Sequence, residues 1–166
     1  MMASVRSVLD RLSSAADRAL WLGPLLARLT LAAVFAPTGW GKLHNLEKIT
    51  AFFTELHIPA PQVNAVVVSS IEFFGGLLLL VGFGTRLVSL PLAFTMVVAI
   101  FTAKRAEIDG ITTVLGFTEF TYLAMLLWLA LVGPGSASLD RLIGWTRRRG
   151  TSESALRSKA TVVGSR

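Results

Sequence analysis

The sequence predicts an all-α fold: a four-helix transmembrane bundle with short interfacial amphipathic helices and both termini cytoplasmic. Hydrophobic residues make up 53% of the 166 residues and charged residues only 16%, and the mean hydropathy is +0.64. Four apolar runs reach or approach the roughly 20 residues that a helix needs to cross a bilayer. The lysines and arginines gather beside these runs, as they do at membrane flanks.

Each expected span is an apolar run that ends at turn-forming or charged residues. Pro37 and Gly39 are expected to end the first span, and Gly133-Pro134-Gly135 the fourth. The expected spans are 20–36, 63–83, 87–103 and 111–132.

The spans belong to one membrane domain at 20–145. A cytoplasmic amphipathic segment at 1–19 precedes it, and a basic tail at 146–166, expected to be disordered, follows it. A helix from about 45 to 57 should lie on the membrane surface, and Ser138 is a favourable N-cap for another. The apolar stripe expected to turn the first of these helices inward consists of Leu46, Ile49, Phe53 and Leu56.

The amino-acid composition argues against several classes of function, among them thiol chemistry, metal binding and nucleic-acid binding. The absence of cysteine excludes disulfides, thiol redox chemistry and cysteine-ligated clusters in this chain. The two histidines, His44 and His57, have few carboxylates beside them, so no metal site is expected. The net charge of +6 is explained by the membrane flanks. The expected partner is therefore the lipid bilayer and not nucleic acid.

One permanent positive charge, Arg28, lies inside the first span. Ionisable residues in membrane helices are rare and often mark functional sites. Glu72 in the second span and Glu119 in the fourth should reach a similar depth, which predicts a cluster of the three, with Tyr122 on the face of Glu119. Two interpretations stay open: a structural ion-pair network, or a site where a surplus carboxylate relays protons or meets a quinone headgroup.

Gly39, Trp40 and Lys42 lie at the expected end of the first span. They are candidates for the mouth of a pocket. The alternative is that Trp40 anchors the helix at the membrane interface, while Lys42 extends its charge to water.

Five short motifs occur in order over roughly residues 20–145. They are Arg28; Gly39-Trp40-Gly41-Lys42-Leu43; Glu72-Phe73-Phe74-Gly75-Gly76; Gly84-Thr85-Arg86; and Gly133-Pro134-Gly135 with Ser138-Leu139-Asp140. Together they resemble the DoxX family of small bacterial integral membrane proteins. That family often has a His-Gly pair where this chain has Thr38-Gly39. The resemblance implies a multi-pass protein of the bacterial inner membrane.

The resemblance also implies the membrane subunit of a redox or oxidative/sulfur-stress system, with quinone or a small lipophilic carrier as the expected ligand. At most the chain would be one subunit of a quinone-linked oxidoreductase, since no redox-active side chain or cofactor ligand is evident in its sequence. It also has no nucleophile–base pair, phosphate loop or dinucleotide fingerprint. Two alternatives stay open: a non-enzymatic anchor that recruits a soluble partner protein, and a small transporter that acts as a homo-oligomer.

The basic residues predict the orientation of the bundle. The N-terminal segment, the turn at 84–86 and the C-terminal segment hold eleven lysines and arginines, whereas the other two loops hold four. Cytoplasmic loops carry the excess of positive charge, so both termini are expected in the cytoplasm.

A reporter enzyme that works only in the cytoplasm is expected to be active when fused after Arg149 and inactive when inserted near Gly110. The charge bias sets this orientation. Activity of both fusions in living cells is the measurement, and the reverse pattern would contradict the orientation.

Overall fold

The computed structural model describes residues 19–144, and the elements there are all helical. The helices are α1 (Leu22–Leu43), α2 (Leu46–Glu55), α3 (Pro61–Val81), α4 (Thr85–Thr102), α5 (Ile111–Gly116) and α6 (Thr118–Val132), with a 3₁₀ turn at Arg105–Glu107. Residues 139–144 are helical as well. Most of the segment predicted at 1–19 and the whole tail predicted at 146–166 lie outside the described residues.

Four apolar helices build the bundle, as predicted. Three of them, α1, α3 and α4, are long and apolar enough to cross a membrane, while α6 is apolar but has 15 residues. α1 packs mainly on α3, and α4 packs mainly on α6. The core between them is aliphatic, with Leu31, Leu79, Leu92, Leu126 and Leu129 fully buried.

The prediction that the first helix ends at Pro37 is wrong, because α1 continues through this proline to Leu43. Proline lacks the N–H that would bond the preceding turn. Membrane helices tolerate this where neighbouring groups satisfy the freed carbonyls. Pro37 leaves the carbonyl of Ala33 without its N–H donor. The next carbonyl, that of Val34, accepts from the hydroxyl of Thr38 at 2.7 Å. The extra turns bring Gly39 and Lys42 against α3.

Glycines bring α1 and α3 into close contact. A Cβ at Gly39 would collide with the backbone of Phe73, and a Cβ at Gly76 would lie 2.5 Å from the backbone nitrogen of Ala36. Small residues allow membrane helices to approach this closely. The α1–α3 pair is thus fixed by backbone contact at these two positions.

The helix predicted at about 45–57 forms as α2, while its place on the membrane surface stays a prediction. Phe53 is buried, and the other predicted inward residues are half-buried: Leu46, Ile49 and Leu56. The link to α3 is tight, since His57 and Ala60 adopt positive φ angles of 57° and 46°. Such angles are uncommon for residues other than glycine.

The fourth span is not one continuous helix, contrary to the prediction for 111–132. Phe117 is extended (φ −72°, ψ 138°) and separates α5 from α6. Gly116, just before it, is exposed and has poor helix propensity, which favours a break there. As a result Glu119 lies in the first turn of α6 and not in the middle of a span.

Gly39→Ala is expected to lower the free energy of unfolding by about 1–3 kcal/mol, the usual cost of overpacking a tight contact. Gly41→Ala is the matched control, because no atom lies within 4 Å of its Cβ position, and it should be neutral or slightly stabilising. Unfolding in detergent micelles is the measurement. Equal losses in both variants would contradict the close contact at Gly39.

Candidate functional site

Arg28 is buried, with 2% of its surface exposed, and its guanidinium donates to four backbone carbonyls. Nε donates to Leu79 O at 3.0 Å and Nη2 to Leu80 O at 3.3 Å. Nη1 donates to Pro134 O at 2.8 Å and to Ala137 O at 2.9 Å. The last carbonyls of a helix have no intrahelical partner and carry partial negative charge, so the end of α3 suits a guanidinium.

Space for this guanidinium depends on Gly82, directly after α3. Its φ is +70°, and a Cβ there would lie 2.5 Å from Nη1 of Arg28. Glycine adopts this left-handed conformation without strain and leaves the volume free. We call this region, formed by Arg28, 79–82 and 133–137, the Arg28 end of the bundle.

The chain after α6 closes the Arg28 end through Asp140. Its carboxylate accepts from the backbone N–H groups of Gly84 at 2.8 Å and Thr85 at 3.2 Å. The side chain therefore caps the start of α4 from a distant part of the chain, a favourable place for a negative charge. The predicted N-cap Ser138 is confirmed, since its Oγ accepts from the N–H of Arg141 at 3.3 Å.

The expected pairing of Arg28 with Glu72 or Glu119 does not form: within residues 19–144 the guanidinium bonds only carbonyls. Side chains on a helix lean toward its N-terminus, which carries Arg28 toward the end of α3. Leu79 follows Glu72 by seven residues, about 10 Å along the helix. The guanidinium is satisfied before it reaches either carboxylate.

Glu72 pairs instead with Lys42, at 2.7 Å between Nζ and Oε1. The Glu72 side chain is 3% exposed and that of Lys42 is 28% exposed. The second oxygen, Oε2, is buried and has no hydrogen-bond partner within residues 19–144. A sequence interpretation that ends α1 at Pro37 misses this pair, because only the extra turns of α1 place Lys42 beside α3.

The ion pair lies in the wall of a cavity of about 430 Å³ between α2, α3 and α4. This volume is typical of pockets for small organic molecules. The walls are largely apolar, with Phe53, Val68, Phe94 and Val98 among them. The polar lining residues are Lys42, His57, Asn64, Glu72, Thr95 and Thr102.

Besides Arg28, four predicted site residues do not line this cavity. Gly39 is buried at the α1–α3 contact, and Trp40, 53% exposed, packs on Phe73 with ring centroids 5.2 Å apart. Tyr122 packs edge-on against Phe35 at 6.0 Å. Glu119, in contrast, is half-exposed.

Glu119 belongs to the charged surface around the loop after α4. Glu107 raises the pKa of Lys104 through a hydrogen bond and through its charge, and the charge of Glu119 adds to this shift. Among the predicted site residues within 19–144, the structure thus joins Lys42 and Glu72 through their side chains, and Gly39 lies against the backbone of Glu72 and Phe73. Sequence reasoning missed Asn64 and Thr95 altogether and considered His57 only as a metal ligand.

The family model described as DoxX matches residues 23–105. The chain belongs to the DoxX family. The Escherichia coli K12 "Inner membrane protein YqjF" is 33% identical over 124 residues, which cover 74% of this chain and 92% of that protein. The Bacillus subtilis 168 "Putative oxidoreductase CatD" is 31% identical over 131 residues, or 78% of this chain and 92% of that protein.

A further relative, the E. coli K12 "Inner membrane protein YphA", is 27% identical over 70% of this chain and 87% of that protein. No solved structure matches. This DoxX-family chain is a multi-pass protein of the bacterial inner membrane, as its apolar helices and its inner-membrane relatives show.

The Arg28 end gathers much of the sequence pattern that resembles the DoxX family. Arg28, the 84–86 turn and the segments 133–135 and 138–140 all meet there. Arg86 contributes by donating to the carbonyl of Val132 at 3.2 Å. These motifs are therefore explained by hydrogen bonding within the fold, whereas Lys42 and Glu72 lie at the cavity.

Arg28→Met is expected to lower the free energy of unfolding by about 3 kcal/mol or more, because several carbonyls lose their donor. Adding Glu72→Gln and Glu119→Gln should not restore stability. Arg86→Met is the control, since this exposed arginine makes one carbonyl bond, and its loss should be about 1 kcal/mol or less. Rescue of Arg28→Met by the two glutamine substitutions, measured by unfolding in detergent, would contradict the carbonyl assignment.

Proposed function

We propose that this DoxX-family chain is the membrane subunit of a redox or oxidative/sulfur-stress system and holds a quinone or similar small lipophilic carrier. The observation that carries the proposal is the apolar cavity with the Lys42–Glu72 pair in its wall. Binding sites for small molecules combine apolar walls with a few polar groups that fix orientation. This cavity has that composition.

The cavity suits the ring of a quinone. Phe53 and Phe94 provide aromatic surface, and Val68 and Val98 provide aliphatic surface. Lys42 is partly exposed and uses one N–H on Glu72, so another N–H is available to a ligand carbonyl. A lipophilic ligand would reach this site from the surrounding bilayer.

Electron transfer in this proposal requires a partner protein. The chain has no cysteine, and the described residues that line its cavity offer binding groups and no redox-active side chain. A protein partner would supply the redox cofactor, and the membrane subunit would present the carrier to it. The name of the B. subtilis relative, "Putative oxidoreductase CatD", supports this assignment.

The proposal is tested by quinone binding to the purified protein in lipid nanodiscs, measured by calorimetry with a short-chain quinone. Val68→Trp fills the cavity and is expected to weaken binding about 10-fold or more, since the ring loses its place. Val67→Trp is the matched control. Val67 is the residue before Val68, and its side chain is 45% exposed on the outside of the bundle.

Saturable binding that is lost in Val68→Trp and kept in Val67→Trp supports the proposal. An absence of saturable binding, or equal affinity in both variants, would contradict it. In that case a membrane anchor that recruits a soluble partner becomes the better account.

A further inference from the structure

The wall of the cavity offers a hydrogen-bond acceptor that the protein itself leaves unused. Oε1 of Glu72 accepts from Lys42, while Oε2 has no partner among the described residues although it is buried. Buried polar atoms are nearly always hydrogen-bonded, so an exception calls for a physical explanation. A ligand that donates to this oxygen would provide one.

Neighbouring hydroxyl groups do not fill this role. Ser69, one turn before Glu72, donates to the carbonyl of Ala65 at 2.6 Å. Thr95, which lines the cavity, donates to the carbonyl of Leu92 at 2.8 Å. A hydroxyl has a single proton to donate, so both are already used.

Lys42 supplies hydrogen-bond donors beside this free acceptor. Its ammonium has three N–H donors, one of which bonds Oε1 of Glu72, and its side chain remains 28% exposed. The pair therefore presents a donor and a free acceptor together. A hydroxyl group matches both, since it donates one proton and accepts through its lone pairs. A carbonyl or an ether oxygen matches only the lysine.

We infer that the cavity selects a neutral hydroxyl compound whose O–H donates to Oε2 of Glu72 while its oxygen accepts from Nζ of Lys42. This inference rests on the proposed function, and for a quinone carrier it means that the reduced hydroquinone binds more tightly than the quinone. An ammonium ligand is disfavoured, because Lys42 already balances the charge of Glu72 and a further cation would lie uncompensated between apolar walls.

The positions of the lining residues along α3 determine how a ligand is oriented in the cavity. Asn64 and Glu72 both line it and are eight residues apart on α3, about 12 Å along the helix. The hydroxyl lies at the Glu72 end, and the apolar part extends along α3 toward α2. Oε2 is shielded without a ligand. The terminal torsion of glutamate is soft, so a modest rotation turns Oε2 toward the cavity, and the ammonium of Lys42 follows Oε1 on its flexible side chain.

Three probes with the same ring test the inference under anaerobic conditions: trimethylhydroquinone, its dimethyl ether and trimethylbenzoquinone. The full chain in lipid nanodiscs is expected to bind the hydroquinone about 10-fold or more tightly than either other probe, because only the hydroquinone donates to the charged acceptor. The double variant Lys42→Met/Glu72→Leu should lose this preference. Lys104→Met/Glu107→Leu, which removes an exposed Lys–Glu pair, should keep it.

Equal binding of the three probes to the unaltered protein would overturn the inference and leave the proposed function standing. An absence of saturable binding by any probe would overturn both. A preference that persists in the Lys42→Met/Glu72→Leu variant would also overturn the inference. If that variant does not fold, the comparison of probes on the unaltered chain decides.

Discussion

The arrangement of the bundle depends on a guanidinium held by backbone carbonyls. Arg28 joins α1 to the end of α3 and to the chain after α6, the segment from which Asp140 caps α4. Charge in a membrane helix is costly unless it is matched. Carbonyls at a helix end and in a turn match it without a second buried ion. Three of the four apolar helices are thereby connected near one end of the bundle.

This use of Arg28 leaves the carboxylate of Glu72 for another purpose. About 10 Å along α3, Glu72 meets Lys42 at the wall of the cavity. The backbone contact at Gly39 holds the last turns of α1 against α3 and so determines where Lys42 lies. Structural and ligand-binding roles are thus divided between two polar clusters. Each cation has its own match, Arg28 in backbone carbonyls and Lys42 in the carboxylate of Glu72, as an apolar environment requires.

The sequence was sufficient for the helical architecture, for α2 and for the N-cap at Ser138, since apolar periodicity and capping residues act locally. It was insufficient for the partners of Arg28, because backbone carbonyls are present at every residue and leave no pattern. Pro37 misled the interpretation, since a rule for soluble helices ends α1 too early and hides the Lys42–Glu72 pair. The break at Phe117, which moves Glu119 to a helix start, also depends on tertiary context.

The most direct test of the account is to measure which cation Glu72 contacts. Solid-state NMR in lipid bilayers measures dipolar coupling between ¹³C in the Glu72 carboxyl group and ¹⁵N in selected side chains. A nitrogen–carbon distance below about 4 Å to Lys42 Nζ is expected, as for an ion pair, with no comparable coupling to the Arg28 guanidinium. Strong coupling to Arg28 with none to Lys42 would contradict the division between the Arg28 end and the cavity.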